Sequence, residues 1–195
     1  MTSQTIKIFS RGVLSSVVMA SLTFSLASQG ATNYSFKNAN VGFTAVGKPG
    51  FLRITGEGGK ANGKVTLDGT KQLLSADVEV KLEDLTTGLS LRDHHMKEKY
   101  LQVTSFPTAV FKASKVAFAG DHLPANIDVP GNLTLHGVSL PVVAKLVIHE
   151  NAGQISGELN FDIKLSDFKI DIPSFAGVTV AETVKVNGTF EMVTP

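Results

Sequence analysis

The sequence predicts an all-β protein: one antiparallel barrel with a single short helix. Three observations lead there. Long stretches alternate apolar and polar residues with a period of two, turn dipeptides separate them at regular intervals, and no Pro/Ser-rich linker divides the 195 residues. Composition agrees: Gly 18 and Phe 12 suit turns between apolar strands, and a hydrophobic fraction of 43% allows a sizeable core. Charged residues make up 18%, below the ~25% usual for soluble chains, and the formal net charge is +1. So near-neutral a balance gives no electrostatic footprint for nucleic acid or an anionic membrane surface. The absence of cysteine excludes disulfides, thiol nucleophiles, iron–sulfur clusters and cysteine-ligated zinc.

The first 27 residues read as a secretory signal peptide rather than as part of the barrel. Lys7 and Arg11 form a basic start, and Gly12 to Ala27 is uncharged and mostly apolar or small. Small residues at Ser25 and Ala27 offer a peptidase site, and cleavage is expected between Ala27 and Ala31. Residues 28–195 are then expected to form the folded domain of an exported protein. An uncleaved anchor would want ~20 apolar residues, more than this segment holds.

Along the domain, Phe51–Lys60 and Lys64–Asp68 read as two strands split by the hairpin signal Asn62-Gly63, with Asp68-Gly69 ending the second. Leu73–Leu82 alternates cleanly. Leu74, Ala76, Val78, Val80 and Leu82 fall on one face, and Ser75, Asp77, Glu79 and Lys81 on the other. Leu91–Leu101 carries helix formers at Arg92, Lys97, Glu98 and Lys99 and reads as the helix. There Met96, Tyr100 and Leu101 should seal an apolar rim while Lys97, Glu98 and Lys99 stay solvated. Pro130-Gly131 is expected to open Asn132–His136, and Asn151-Ala152-Gly153 to join Pro141–Glu150 to Gln154–Lys164. The last strand sets Val184, Val186, Phe190 and Met192 against Lys185, Asn187, Thr189 and Glu191. One wet face per strand means antiparallel sheet, since parallel strands read as continuous apolar runs.

Two motifs invite chemistry. Gly56-Glu57-Gly58-Gly59-Lys60-Ala61 matches the dinucleotide fingerprint in letters, but no helix follows to receive a pyrophosphate. Asp93-His94-His95 could supply metal ligands or acid–base groups. Adjacent helical positions diverge by about 100°, however, so the two imidazoles point apart. The plainer expectation is that Asp93 caps the helix start and pairs with Arg92 or a lysine.

Three blocks now support a resemblance. Thr87-Gly88-Leu89-Ser90-Leu91-Arg92-Asp93-His94-His95-Met96 with the following Phe106-Pro107 is similar to the central signature of the YceI-like family. Gly131-Asn132-Leu133-Thr134-Leu135-His136-Gly137-Val138-Ser139-Leu140-Pro141-Val142 resembles its second block, and Leu165-Ser166-Asp167-Phe168-Lys169-Ile170 its late one. They fall in family order. The chain departs at Ala39-Asn40-Val41-Gly42-Phe43, where many members carry a His-Ser pair before the first long strand. The resemblance implies a lipocalin-like barrel of about eight strands, periplasmic, without cofactor or catalytic group, whose interior holds a polyisoprenoid or another long-chain lipid.

An eight-stranded barrel either fills its interior with side chains or keeps room for one ligand. Inward-facing candidates for an apolar lining are Phe43, Val78, Val80, Phe111 and Leu133, followed by Leu146, Leu159, Phe161, Val186 and Phe190. Arg92, His94, His95 and Lys97 are the rim candidates for a polar headgroup. Neither nucleic acid nor an integral membrane setting is expected; aromatic girdles are hard to build with no Trp and only Tyr34 and Tyr100. An enzyme or metal protein using the Asp93-His94-His95 segment, a structural β-domain without ligand, and a homodimer stay open at this stage.

Overall fold

The computed structural model describes residues 30–48, 52–120, 122–175 and 177–194. The proposed signal segment lies outside them, apart from its last candidate cut beside Gly30. Strands β1 (Thr32–Lys48), β2 (Leu52–Leu67), β3 (Leu73–Lys81), β4 (Thr108–Val116), β5 (Asn126–Leu135), β6 (Val138–Asn151), β7 (Gln154–Lys164) and β10 (Thr183–Val193) follow one another as antiparallel neighbours. The β10–β1 pairing, from Ser35↔Val193 to Thr44↔Lys185, closes them into an eight-stranded barrel. A small hairpin, β8 (Ser174–Phe175) and β9 (Val178–Val180), hangs from the far end of β1 through Gly47↔Val180.

Closure leaves every strand with one face in and one out. Glu79, Lys81, Glu158 and Lys185 are exposed on the outside, while Val184, Phe190 and Met192 of β10 are buried inside. An outer wall bearing such charges suits water rather than hydrocarbon.

The turn signals were only partly right. Asp68 does end β2: its carboxylate accepts bonds from the Thr70 and Gln72 amides at 2.8 and 3.0 Å, closing the turn. Ala152-Gly153, both at positive φ (48° and 81°), make the two-residue link from β6 to β7. Asn62-Gly63, by contrast, is no turn. It lies inside β2, paired with Glu79 and Val78, and a Cβ at Gly63 would sit 2.1 Å from the Asp77 carbonyl oxygen. The glycine is there so that β3 can approach. Pro130-Gly131 is likewise internal to β5. The β4–β5 ladder spans only Val110–Lys112 against Asn132–Thr134, so Pro130 stands where that ladder has ended, the position a strand proline requires. The real β5–β6 turn is His136-Gly137, again at positive φ (50° and 76°). Leu74, expected inside, is 37% exposed. A bulge between the Thr66 and Leu67 pairings shifts the register, and Leu73 takes the inward place. The departure block Ala39–Phe43 sits within β1, not before it.

The two barrel ends are finished differently. At one end Tyr34, Leu67, Leu73, Ile155 and Met192 form a buried cluster, with Phe118 and Leu123 of the β4–β5 loop packed on it. Gln72 ties that loop down: its side-chain oxygen accepts from the Phe118 amide and its nitrogen donates to the Gly120 carbonyl at 3.0 Å. Lys71 donates to Glu150 at 2.8 Å and to the Tyr34 hydroxyl at 3.3 Å. This end is closed.

At the opposite end the helix forms where expected: α1 (Ser90–His94) continues as a π-helix, His95–Tyr100, whose Met96 carbonyl accepts from the Leu101 amide. Met96, Tyr100, Leu101 and Val103 pack with Leu135, Leu165 and Phe168 into a roof over part of the opening. His136 fastens the roof, its Nδ1 donating to the Phe168 carbonyl at 3.2 Å and its ring centred 4.5 Å from Phe106.

Candidate functional site

Between the two clusters the barrel is hollow. A cavity of about 810 Å³ runs along the lumen, lined almost wholly by aliphatic and aromatic side chains, with no Asp, Glu or Lys among them. All ten expected lining residues face it: Phe43 from β1, Val78 and Val80 from β3, Phe111 from β4, Leu133 from β5, Leu146 from β6, Leu159 and Phe161 from β7, and Val186 and Phe190 from β10. Leu133 and Phe190 are buried, whereas the other eight are half-buried because their inward faces meet open volume instead of a packed core.

The lumen stays open through a device that alternation does not reveal. Three of its rings stand over glycines. A Cβ at Gly56 would fall 2.1 Å from the Phe43 ring, one at Gly131 2.5 Å from Phe111, and one at Gly157 2.9 Å from Phe190. Gly56 pairs with Phe43 across β1–β2, and Gly157 with Phe190 across β7–β10. Each glycine lets a phenyl ring occupy the wall and not the space in front of it. The sequence signal was present as glycine inside strand patterns, which marks close approach.

Exposed lining residues gather at the mouth, at Leu52, Leu89, Ser90, Leu91 and Ser174; Thr189, midway along β10, is the other exposed one among the described residues. The mouth lies beside the roof, where α1 faces the start of β2 and the β8–β9 hairpin. Most of the polar lining gathers here too, at Thr87, Ser90, Arg92, His95 and Ser174, with Thr189 apart from it on β10.

Of the four rim candidates, Arg92 and His95 reach the lining and His94 and Lys97 do not. His94 points outward and meets Glu98 at 3.3 Å; Lys97, expected to be solvated, is only 22% exposed and lies 3.6 Å from Glu83. Successive helical residues diverge, which turns His94 away from the lining, although its ring still lies 6.1 Å, centre to centre, from that of His95. Among the described residues no three His, Asp or Glu side chains converge as metal ligands would.

Asp93 does not cap the helix or pair with Arg92; both hold Thr87 instead. The Asp93 carboxylate accepts from the Thr86 hydroxyl at 2.6 Å and from the amide and hydroxyl of Thr87. Arg92 donates through Nε to the Thr87 hydroxyl oxygen and through Nη2 to its carbonyl, each at 2.8 Å. Desolvation pulls the Asp93 carboxyl upward, but the bonds from Thr86 and Thr87, aided by the Lys97 charge, hold it below the ordinary carboxylate value. The central signature is thus a clamp. It fixes α1 to the preceding loop, turns Met96 and Tyr100 inward and leaves the Arg92 guanidinium at the mouth.

Comparison with known proteins agrees with this architecture. A YceI-like domain matches residues 33–192. Protein YceI of Salmonella arizonae is 33% identical over 166 residues, covering 78% of this chain and 83% of that protein. Two solved structures share the fold. A polyisoprenoid binding domain from Saccharophagus degradans, implicated in plant cell wall breakdown, superposes with a TM-score of 0.66 at 18% identity, over 83% of this chain and 98% of that one. Burkholderia cenocepacia BcnA superposes with a TM-score of 0.66 at 22% identity, over 78% and 95%. Barrel, signature blocks and sequence match converge: the chain belongs to the YceI-like family.

Proposed function

We propose that this barrel is a non-enzymatic carrier that holds one long apolar chain, a polyisoprenoid or a similar amphiphilic lipid, inside its lumen, and that it works in the periplasm after removal of its leader. The carrying observation is the cavity of about 810 Å³ with apolar walls and most of its polar groups at one end. That volume falls within the ~300–1,000 Å³ of small-molecule sites. Apolar walls hold water poorly, and a void of this size forfeits the contacts of everything that lines it. A flexible hydrocarbon restores those contacts and gains ~25 cal/mol for each Å² removed from water. Directional bonding is left to the mouth, where Arg92, Ser90 and His95 stand near the place a headgroup would emerge. The polyisoprenoid-binding relative of the same fold supports this reading.

Mass spectrometry of an organic extract from the purified protein tests it. A long prenyl chain or comparable lipid is the expected yield. An extract without lipid, together with no uptake of an added prenyl alcohol, would overturn it.

A further inference from the structure

The mouth is ringed by large apolar side chains that water solvates badly. Leu52 is 39% exposed, Leu89 57%, Leu91 62% and Ile172 41%; the last directly precedes Pro173 of the lining. At the closed end the only comparable side chain among the described residues is Leu74 at its bulge. The leucines are not there because a loose loop happens to fray. Leu89 and Leu91 flank Ser90 at the start of α1, and the Thr87 clamp to Arg92 and Asp93 holds that turn in place. They also continue the cavity wall outward, so the apolar surface runs unbroken from the lumen to the outside.

Cations stand beside these side chains. Lys48 and Arg53 stand on the two strands beside Leu52, both exposed and in no ion pair among the described residues, and Arg92 is at the mouth itself. Of the acids at this end, Asp93 is taken up by Thr86 and Thr87 and Glu83 meets Lys97 at 3.6 Å, while Asp84 and Asp171 are exposed. Leucines that can enter an acyl layer, with cations placed for phosphate headgroups, are the elements of an interfacial anchor.

We infer that the ring of Leu52, Leu89, Leu91 and Ile172 docks the barrel, mouth first, on an anionic phospholipid bilayer. A long chain then passes between membrane and lumen without crossing water. The purpose of this docking rests on the carrier reading, but the docking itself is measured separately.

Co-sedimentation with vesicles of phosphatidylcholine mixed with phosphatidylglycerol is the test. The purified protein should pellet with mixed vesicles, and less with phosphatidylcholine alone or in high salt. The pair Leu89→Ser and Leu91→Ser should lower the partition coefficient about tenfold. Val143→Ser, at a 46% exposed position on the barrel wall, should leave it unchanged. Equal pelleting of the double variant, or an equal fall in Val143→Ser, would overturn the docking. Delipidated wild type and Leu146→Trp separate the two readings. Both should still pellet; if either loses partition, the bound chain and not the rim holds the membrane, and the inference fails. A wild type that pellets but neither carries nor takes up lipid would leave docking standing and remove the carrier reading.

Discussion

The two ends of the barrel are made from the same kinds of residue put to opposite uses. At the closed end Leu67, Leu73 and Ile155 are 3%, 5% and 1% exposed, and Gln72 and Lys71 lash the covering loop and turn in place. At the mouth Leu89 and Leu91 are more than half exposed, although the turn that carries them is clamped as firmly. The difference is therefore not one of order against disorder. Apolar area buried in one place stabilises the fold; apolar area fixed in the open in another is available for binding. The contrast also gives the lumen a direction, with one end sealed and the other open.

Substitution should break the contrast in a graded way. Ile155→Ala removes the most buried side chain of the closed end and should lower stability by about 2–5 kcal/mol in denaturant titration. The same change at Leu91 should fall within about 0.5 kcal/mol of wild type. Similar losses at both ends would erase the distinction. Gly56→Val comes next. It drives the Phe43 ring off the wall and should cost about 1–3 kcal/mol through overpacking while reducing the uptake of long chains. A variant with unchanged uptake would show that the ring–glycine pairs do not keep the lumen open.

Asp93→Asn tests the clamp and should cost about 1–2 kcal/mol at neutral pH. Its pH dependence has a definite sign. A carboxyl held below its unfolded value of 3.8 contributes stability above that pH and loses it as pH falls through the lower folded value. The gap between wild type and Asp93→Asn should hence close in acid. A gap that persists at a pH well below the folded value would mean that the clamp does not depend on the carboxylate. The smallest effect is expected at the closed end's surface tie. Lys71→Met should cost no more than about 1 kcal/mol, since Lys71 and Glu150 are 30% and 34% exposed.

Much of the barrel was legible in the sequence because alternation is a local property. Once Val78, Phe161 and Val186 are placed on one face of their strands, closure decides that this face is the inside. The helix was legible for the same reason. The misreadings in the strands are long-range. Asn62-Gly63 and Pro130-Gly131 look like turns by themselves. Only the approach of β3 to Gly63, and the end of the β4 ladder before Pro130, make them strand interior. The bulge that expels Leu74 depends on pairing across to Thr66 and Leu67. At the site, the lining followed from the pattern, but the phenyl–glycine contacts and the hold of Arg92 and Asp93 on Thr87 did not. Those join residues whose distance apart the pattern does not record, and the β8–β9 hairpin beside the mouth gave no strong periodic signal.

Uptake of a labelled prenyl alcohol by delipidated protein, compared with Leu146→Trp and Val143→Trp, tests the lumen most directly. Leu146 faces the cavity between Ile127 and Leu159, while Val143 stands on the outer wall. The expected result is saturable binding of one chain to wild type, at least about tenfold weaker binding to a folded Leu146→Trp, and unchanged binding to Val143→Trp. A folded Leu146→Trp that binds as tightly as wild type would contradict the central claim that the chain is carried inside the barrel.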